Sequence, residues 1–192
     1  WYPGAGLYRN VHLIITEDAY IPVWGTYITT PSVNEKFAKV NVRTKVVLPE
    51  GADPAKYSVE TSVWNPNKQK LTAVRTSLAQ MKYNNNQAEQ EFVIQAPSLW
   101  SPEMPALYSA ETRLYEGDKL KDIHTTPFGI RSIEIIPDKG FFLNGKRTVF
   151  KGVCNHHDLG PLGAAVNDAA IRRQIRILKD MGCNAIRTSH NM

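Results

Sequence analysis
Glutamate disappears from this sequence after Glu134. Cysteine is scarce throughout, and Cys154 and Cys183 form neither a CxxC pair nor a disulfide framework. No apolar run approaches the roughly 20 residues that a membrane-spanning helix needs. Lys and Arg exceed Asp and Glu by only five charges and are scattered, with no basic block interleaved with aromatics, so nucleic acid is not an expected partner and neither is a membrane. No internal repeat, low-complexity stretch or signal peptide is present, although a chain that opens on Trp1 says little about a leader. The opening on Trp1, and the stop at Met192 directly after an apolar segment, read as a segment cut from something longer. What is present is ordinary: 42% hydrophobic and 21% charged residues, enough for a packed core and too apolar for wholesale disorder.

From residue 11 onward the pattern is that of strands. "VHLIIT" follows the Gly/Pro turn "WYPGAGLYRN" and reads as strand-like. "GTYITTPSV" is rich in β-branched residues and Tyr, suiting an exposed strand or linker. "FAKVNVRTKVVL" has the period of a half-buried strand, with Phe37, Val40, Val42 and Val46–Leu48 apolar. "YSVETSVWN" places Val59, Thr61 and Val63 on one face. "LTAVRTSLAQ" and "AEQEFVIQA" are further strands, and "YSAETRLYEGDKLKDIHTTPFGI" is a hairpin turning near Gly117–Asp118. "PSLWSPEMPALY" is a connection, because each Pro lacks the donor that a sheet interior requires. Strands every 8–12 residues indicate an immunoglobulin-like β-sandwich over residues 22–135, without the Cys–Trp–Cys signature of antibody domains. Trp64 and Trp100 suit packing better than sugar stacking, and Asp18, Glu60 and Glu89–Glu91 suit solvated faces.

The texture changes near residue 137. Asn144–Gly145 marks a hairpin turn, and the apolar run "TVFKGV" follows. "NDAAIRRQIRILKDMG" is helical, with Asn167 as N-cap, Asp168 at the positive end, an apolar row of Ile171, Ile175 and Leu178, and Gly182 just past the end. "NAIRTSH" reads as a second short buried strand. Strand, helix and strand in that order form a βαβ unit with parallel strands.

Functional groups collect at the carboxyl ends of parallel strands. His156, His157 and Asp158 leave the first strand, and Arg187, Ser189 and His190 end the second, so topology alone brings His156 and His190 to one edge. Three uses compete. A metal is disfavoured, because adjacent histidines on a strand point to opposite faces and match no standard ligand spacing. Hydrogen bonding to loop backbone is a purely structural use. Contact of imidazole and guanidinium with substrate hydroxyls and carboxylates is the third and the favoured one. Thr188–Ser189–His190 is not a nucleophilic triad, since neighbours along a strand point apart and no orienting acid is evident.

"GFFLNGKRTVFKGVCNHHDLGPLGAAV" followed by "RRQIRILKDMGCNAIRTSHN" resembles the start of the catalytic barrel of glycoside hydrolase family 2, the β-galactosidase, β-glucuronidase and β-mannosidase group. "WYPGAGLYRNV" resembles the end of that family's sugar-binding jelly roll, and "LWSPEMPALY" and "FGIRSIEI" resemble its central immunoglobulin-like domain and exit. The resemblance implies a mainly β chain in three parts: residues 1–20 from the jelly roll, the sandwich at 22–135, and the truncated start of a (β/α)8 TIM barrel at 137–192. It implies that His156, His190 and Arg187 bind substrate, the histidines stabilising the transition state and Arg187 helping to position a nucleophile; Asp158 joins them with less support from the pattern. The family's usual first strand reads "GVNRHE", so Cys154, Asn155 and His157 depart from it and inherit no role.

A retaining glycosidase works with two carboxylates about 5–5.5 Å apart. In the family both are glutamates on later barrel strands, so the resemblance leaves no catalytic residue in this chain and implies a parent β-galactosidase of which the chain is an inactive fragment. It implies no cofactor and no metal, a β-glycoside substrate and a periplasmic or secreted location, and leaves a homo-oligomer open. A non-catalytic carbohydrate-binding or scaffolding sandwich is the alternative reading, and a small metallohydrolase on His156, His157, Asp158 and His190 is a third.

Overall fold
The computed structural model describes residues 10–80 and 87–189. The described residues divide into two compact units, residues 15–147 and residues 148–189 with residues 10–14.

The first unit is built on two antiparallel sheets. One orders β1 (Thr26–Val33), β2 (Phe37–Lys45) and β5 (Gln87–Gln95) as β1-β2-β5. The other orders β3 (Tyr57–Trp64), β4 (Lys70–Ser77), β6 (Tyr108–Glu116) and β7 (Lys119–Phe128) as β4-β3-β6-β7. Period-two patterning decides which side chains meet between them. Ala38, Val40, Val42 and Thr44 of β2 are fully buried, as are Val59, Thr61 and Val63 of β3 and Ala110, Thr112 and Leu114 of β6. Phe37 is out of phase with that row and stays half-buried. β1 is an edge strand, which is why it tolerates Pro31, and its register slips between Thr29 and Ser32 around that proline. The β6–β7 turn holds Gly117 at φ +57.

A third sheet joins β8 (Ile133–Ile136), β9 (Gly140–Leu143) and β10 (Lys146–Arg147). Asn144 and Gly145 lie at φ +51 and +75, the pair of left-handed residues that a tight hairpin turn requires. Asn144 also ties the turn down: its Oδ1 accepts from Ser132 N at 3.0 Å and its Nδ2 donates to the Trp100 carbonyl at 3.0 Å. Trp100 is a packing residue. A Cβ on Gly129 would stand 2.9 Å from it, and the Arg131 guanidinium covers its ring at 4.7 Å.

The reading of "VHLIIT" as a strand is corrected. Residues 11–16 are irregular, and Val11, Leu13 and Ile15 are 76–86% exposed. They pair with no strand among the described residues, and β propensity without a ladder partner does not hold an extended chain. The chain joins the sandwich just after them. Ala19 and Ile21 are buried in the sandwich core, Tyr20 bridges Val47, and Ile21 N donates to Asp122 Oδ2 at 2.8 Å. Residues Trp1–Arg9, including the segment read as jelly roll, lie outside the described residues.

Two polar devices hold this unit. Gln90 of β5, 3% exposed, crosses to the facing sheet, donating its Nε2 to the Val59 and Val74 carbonyls at 3.1 and 2.9 Å and to Thr76 Oγ1 at 3.1 Å. Lys121, only 7% exposed in its side chain, is surrounded by carboxylates: Glu17, Asp18 at 3.3 Å and Glu116 at 3.6 Å. Its hydrogen bonds hold the Glu17 and Asp18 carboxyls below their ordinary values of 4.5 and 3.8.

Two outcomes follow for measurement. Gln90→Ala opens a void and removes the inter-sheet donor, and lowers stability in urea unfolding by about 2–3 kcal/mol. Because the Glu17 and Asp18 carboxyls are depressed in the folded state, their contribution is present at neutral pH and is lost as pH falls below about 4. Hydrogen-exchange protection of residues 19–21 therefore drops selectively between pH 7 and pH 3, and Lys121→Met abolishes that pH dependence.

Candidate functional site
The second unit starts from one close approach. β11 (Gly152–Asn155) and β12 (Ala185–Thr188) pair in parallel, Gly152 opposite Ala185 and Asn155 opposite Thr188. A Cβ at Gly152 would collide with the Ala185 carbonyl oxygen, so only glycine fits there. The crossover is α1 (Asp168–Asp180). Asn167 caps it, its Oδ1 accepting from Ala170 N at 2.9 Å, and Asp168 lies in the first turn. At the other end Gly182, at φ +86, donates to the Lys179 carbonyl while Cys183 N donates to that of Leu178, the double bond of a Schellman ending. Asn184 then fixes the start of β12. Its backbone N donates to the Lys151 carbonyl at 2.9 Å, its Oδ1 accepts from Lys151 N at 2.8 Å and its Nδ2 donates to the Val149 carbonyl at 3.0 Å.

A cavity of about 710 Å³ opens between the loop leaving β11, the first turns of α1 and the end of β12. Ile171, Ile175 and Ile186 supply apolar wall, while Asn155, His156, His157, Gln174 and Thr188 supply polar groups. Asn155 Nδ2 donates to Gln174 Oε1 at 3.2 Å, joining strand and helix.

The candidate residues are thereby sorted. His156 and His157 are half-buried and line the cavity together. Arg187 does not line it. β12 alternates, so Ile186 and Thr188 face the cavity while Arg187 lies on the opposite face, its Nη1 donating to Cys154 Sγ at 3.7 Å. Asp158 is exposed and its Oδ1 accepts from Gly160 N at 2.9 Å, which turns the carboxylate back into its own loop. His190 lies outside the described residues. Ser189 is 2% exposed and its N donates to the Asn155 carbonyl at 3.0 Å, so its hydroxyl is enclosed rather than presented to a substrate.

Among the described residues no group of three His, Cys, Asp or Glu side chains is placed to hold a metal ion. The roles of Asn155, Gln174 and Asn184 escape sequence inspection. Their partners are 19 or more residues away, beyond any local spacing rule.

An immunoglobulin-like sandwich followed by the first β–α–β of a parallel barrel defines the class. The family models agree: "Glycosyl hydrolases family 2" matches residues 20–131, and "Glycosyl hydrolases family 2, TIM barrel domain" matches residues 134–191. The chain belongs to glycosyl hydrolase family 2. It is 42% identical over 191 residues to the β-galactosidase BoGH2A of Bacteroides ovatus and 34% identical over 192 residues to a β-glucuronidase of Bacteroides fragilis. Those matches cover 100% and 96% of this chain. A crystal structure of a β-glycosidase from Bacteroides vulgatus superimposes with a TM-score of 0.87 at 34% identity over the whole chain. The chain spans only 22%, 27% and 24% of those three proteins.

Gly152→Ala separates β11 from β12 and loosens the loop carrying His156. Amides of residues 152–155 and 185–188 then lose hydrogen-exchange protection by at least about tenfold while the sandwich amides keep theirs.

Proposed function
We propose that this chain is the immunoglobulin-like scaffold and barrel start of a retaining β-glycosidase acting on β-galactosides. The observation that carries the reading is the location of His156, half-buried at the carboxyl end of a parallel barrel strand in a family 2 chain. In this reading His156 and His190 contact sugar hydroxyls and stabilise the oxocarbenium-like transition state, Arg187 orients the nucleophilic carboxylate from the opposite face of β12, and Asp158 adds a polar group at the same edge. The acid/base and nucleophilic glutamates come from other parts of the parent enzyme, since residues 135–192 contain no glutamate. The parent works in the periplasm or outside the cell.

The galactoside preference is supported by the 42% identity to a protein named β-galactosidase. A β-glucuronidase is the second reading, supported by relatives so named at 35% and 34% identity.

The purified 192-residue chain is expected to hydrolyse no chromogenic β-glycoside when assayed against a panel of them. Exchanged for the matching segment of BoGH2A, it yields an enzyme that still cleaves β-galactosides, as a family 2 barrel start in its proper place does. His156→Ala in that chimera lowers kcat/KM by about 10²-fold, the usual cost of removing one strong transition-state hydrogen bond. A folded chimera that is inactive on β-galactosides, or indifferent to His156→Ala, would contradict the reading.

A further inference from the structure
Asn155 is the last residue of β11, immediately before His156. It is held from two directions. Its carbonyl accepts from Ser189 N at 3.0 Å, which commits its backbone to the sheet. Its side-chain amide donates to Gln174 Oε1 at 3.2 Å, which ties it to α1. Gln174 is half-buried and lines the same cavity as the two histidines.

The far end of the His-bearing loop is tied to the same helix. Asn167 accepts from Ala170 N, and Ala170 and Gln174 are one helical turn apart. Between these anchors the loop is braced by Asp158 on Gly160 N and by Leu159 N on the Gly163 carbonyl at 2.9 Å. The twelve residues 156–167 are therefore clamped at both ends onto consecutive turns of one rigid element. Side chains that meet a substrate must be held to about 0.5 Å, and a supporting hydrogen bond from a neighbouring helix does this without touching the substrate.

We propose that Gln174, acting through Asn155, is the positioning residue for His156 and His157; its functional meaning rests on the substrate contact proposed above for His156. The direction of the bond is part of the claim: Asn155 donates and Gln174 accepts. A glutamate at 174 accepts equally well, whereas a leucine of similar size does not, and both are good helix formers.

The test uses the 192-residue chain with ¹³C,¹⁵N-labelled histidine and reads the imidazole signals of His156 and His157 in two-dimensional spectra, with far-UV circular dichroism as the check on fold. Gln174→Leu shifts or exchange-broadens both imidazole signals while leaving the spectrum of His124 in place. Gln174→Glu restores signals close to those of the parent. A Gln174→Leu spectrum that superimposes on the parent's overturns the proposal, and so does a Gln174→Glu variant as disturbed as the leucine one. The readout involves no sugar, so failure of the glycosidase reading would appear in the chimera's activity and leave this result standing.

Discussion
Two parallel strands cannot be joined by a tight turn, and the chemistry assigned to this chain descends from that constraint. β11 and β12 run the same way, so the chain must return along α1 before the second strand begins. The return forces both strands to end at the same edge. Whatever leaves β11 therefore meets whatever leaves β12, and the histidines after Asn155 share a cavity with Thr188 although they are more than thirty positions apart in sequence. Gly152 permits the approach, Asn184 sets the register at the start, and the Schellman ending at Gly182 turns the helix into the second strand.

The two units differ in how completely they bury what they contain. The sandwich closes on itself, with core rows of β2, β3 and β6 removed from water. In the barrel start α1 has no fully buried residue, and Ile171, Ile175 and Ile177 remain 40–46% exposed. A single β–α–β covers one face of a two-stranded parallel sheet, and parallel sheets are stable when both faces are covered. The sandwich supplies a rigid body, and the β–α–β supplies groups whose usefulness depends on how firmly the loop after β11 is held.

Much of this was legible in the sequence, for physical reasons that can be named. Val59, Thr61 and Val63 announced a buried strand face because a half-buried strand repeats every two residues. Asn144–Gly145, Asn167 and Gly182 announced turn and caps because few residues tolerate those backbone states or satisfy those donors. "VHLIIT" misled because composition expresses a preference for extended backbone and cannot report whether a partner strand is there. The grouping at the strand ends was legible only to the level of the edge. That Arg187 would face Cys154 rather than line the cavity, and that Asp158 would turn back on Gly160, depend on single-residue phase and local hydrogen bonding. The Asn155–Gln174 bond and the carboxylates around Lys121 were invisible, since each joins residues whose proximity only the folded chain creates.

The most direct measurement is a crystal structure of the BoGH2A chimera carrying this segment, with a galactose-derived inhibitor bound. The account predicts an imidazole nitrogen of His156 about 3 Å from a sugar hydroxyl, with Asn155 still bonded to Gln174 behind it. A ligand seated in the barrel with neither imidazole nitrogen of His156 within hydrogen-bonding distance of it would contradict the account.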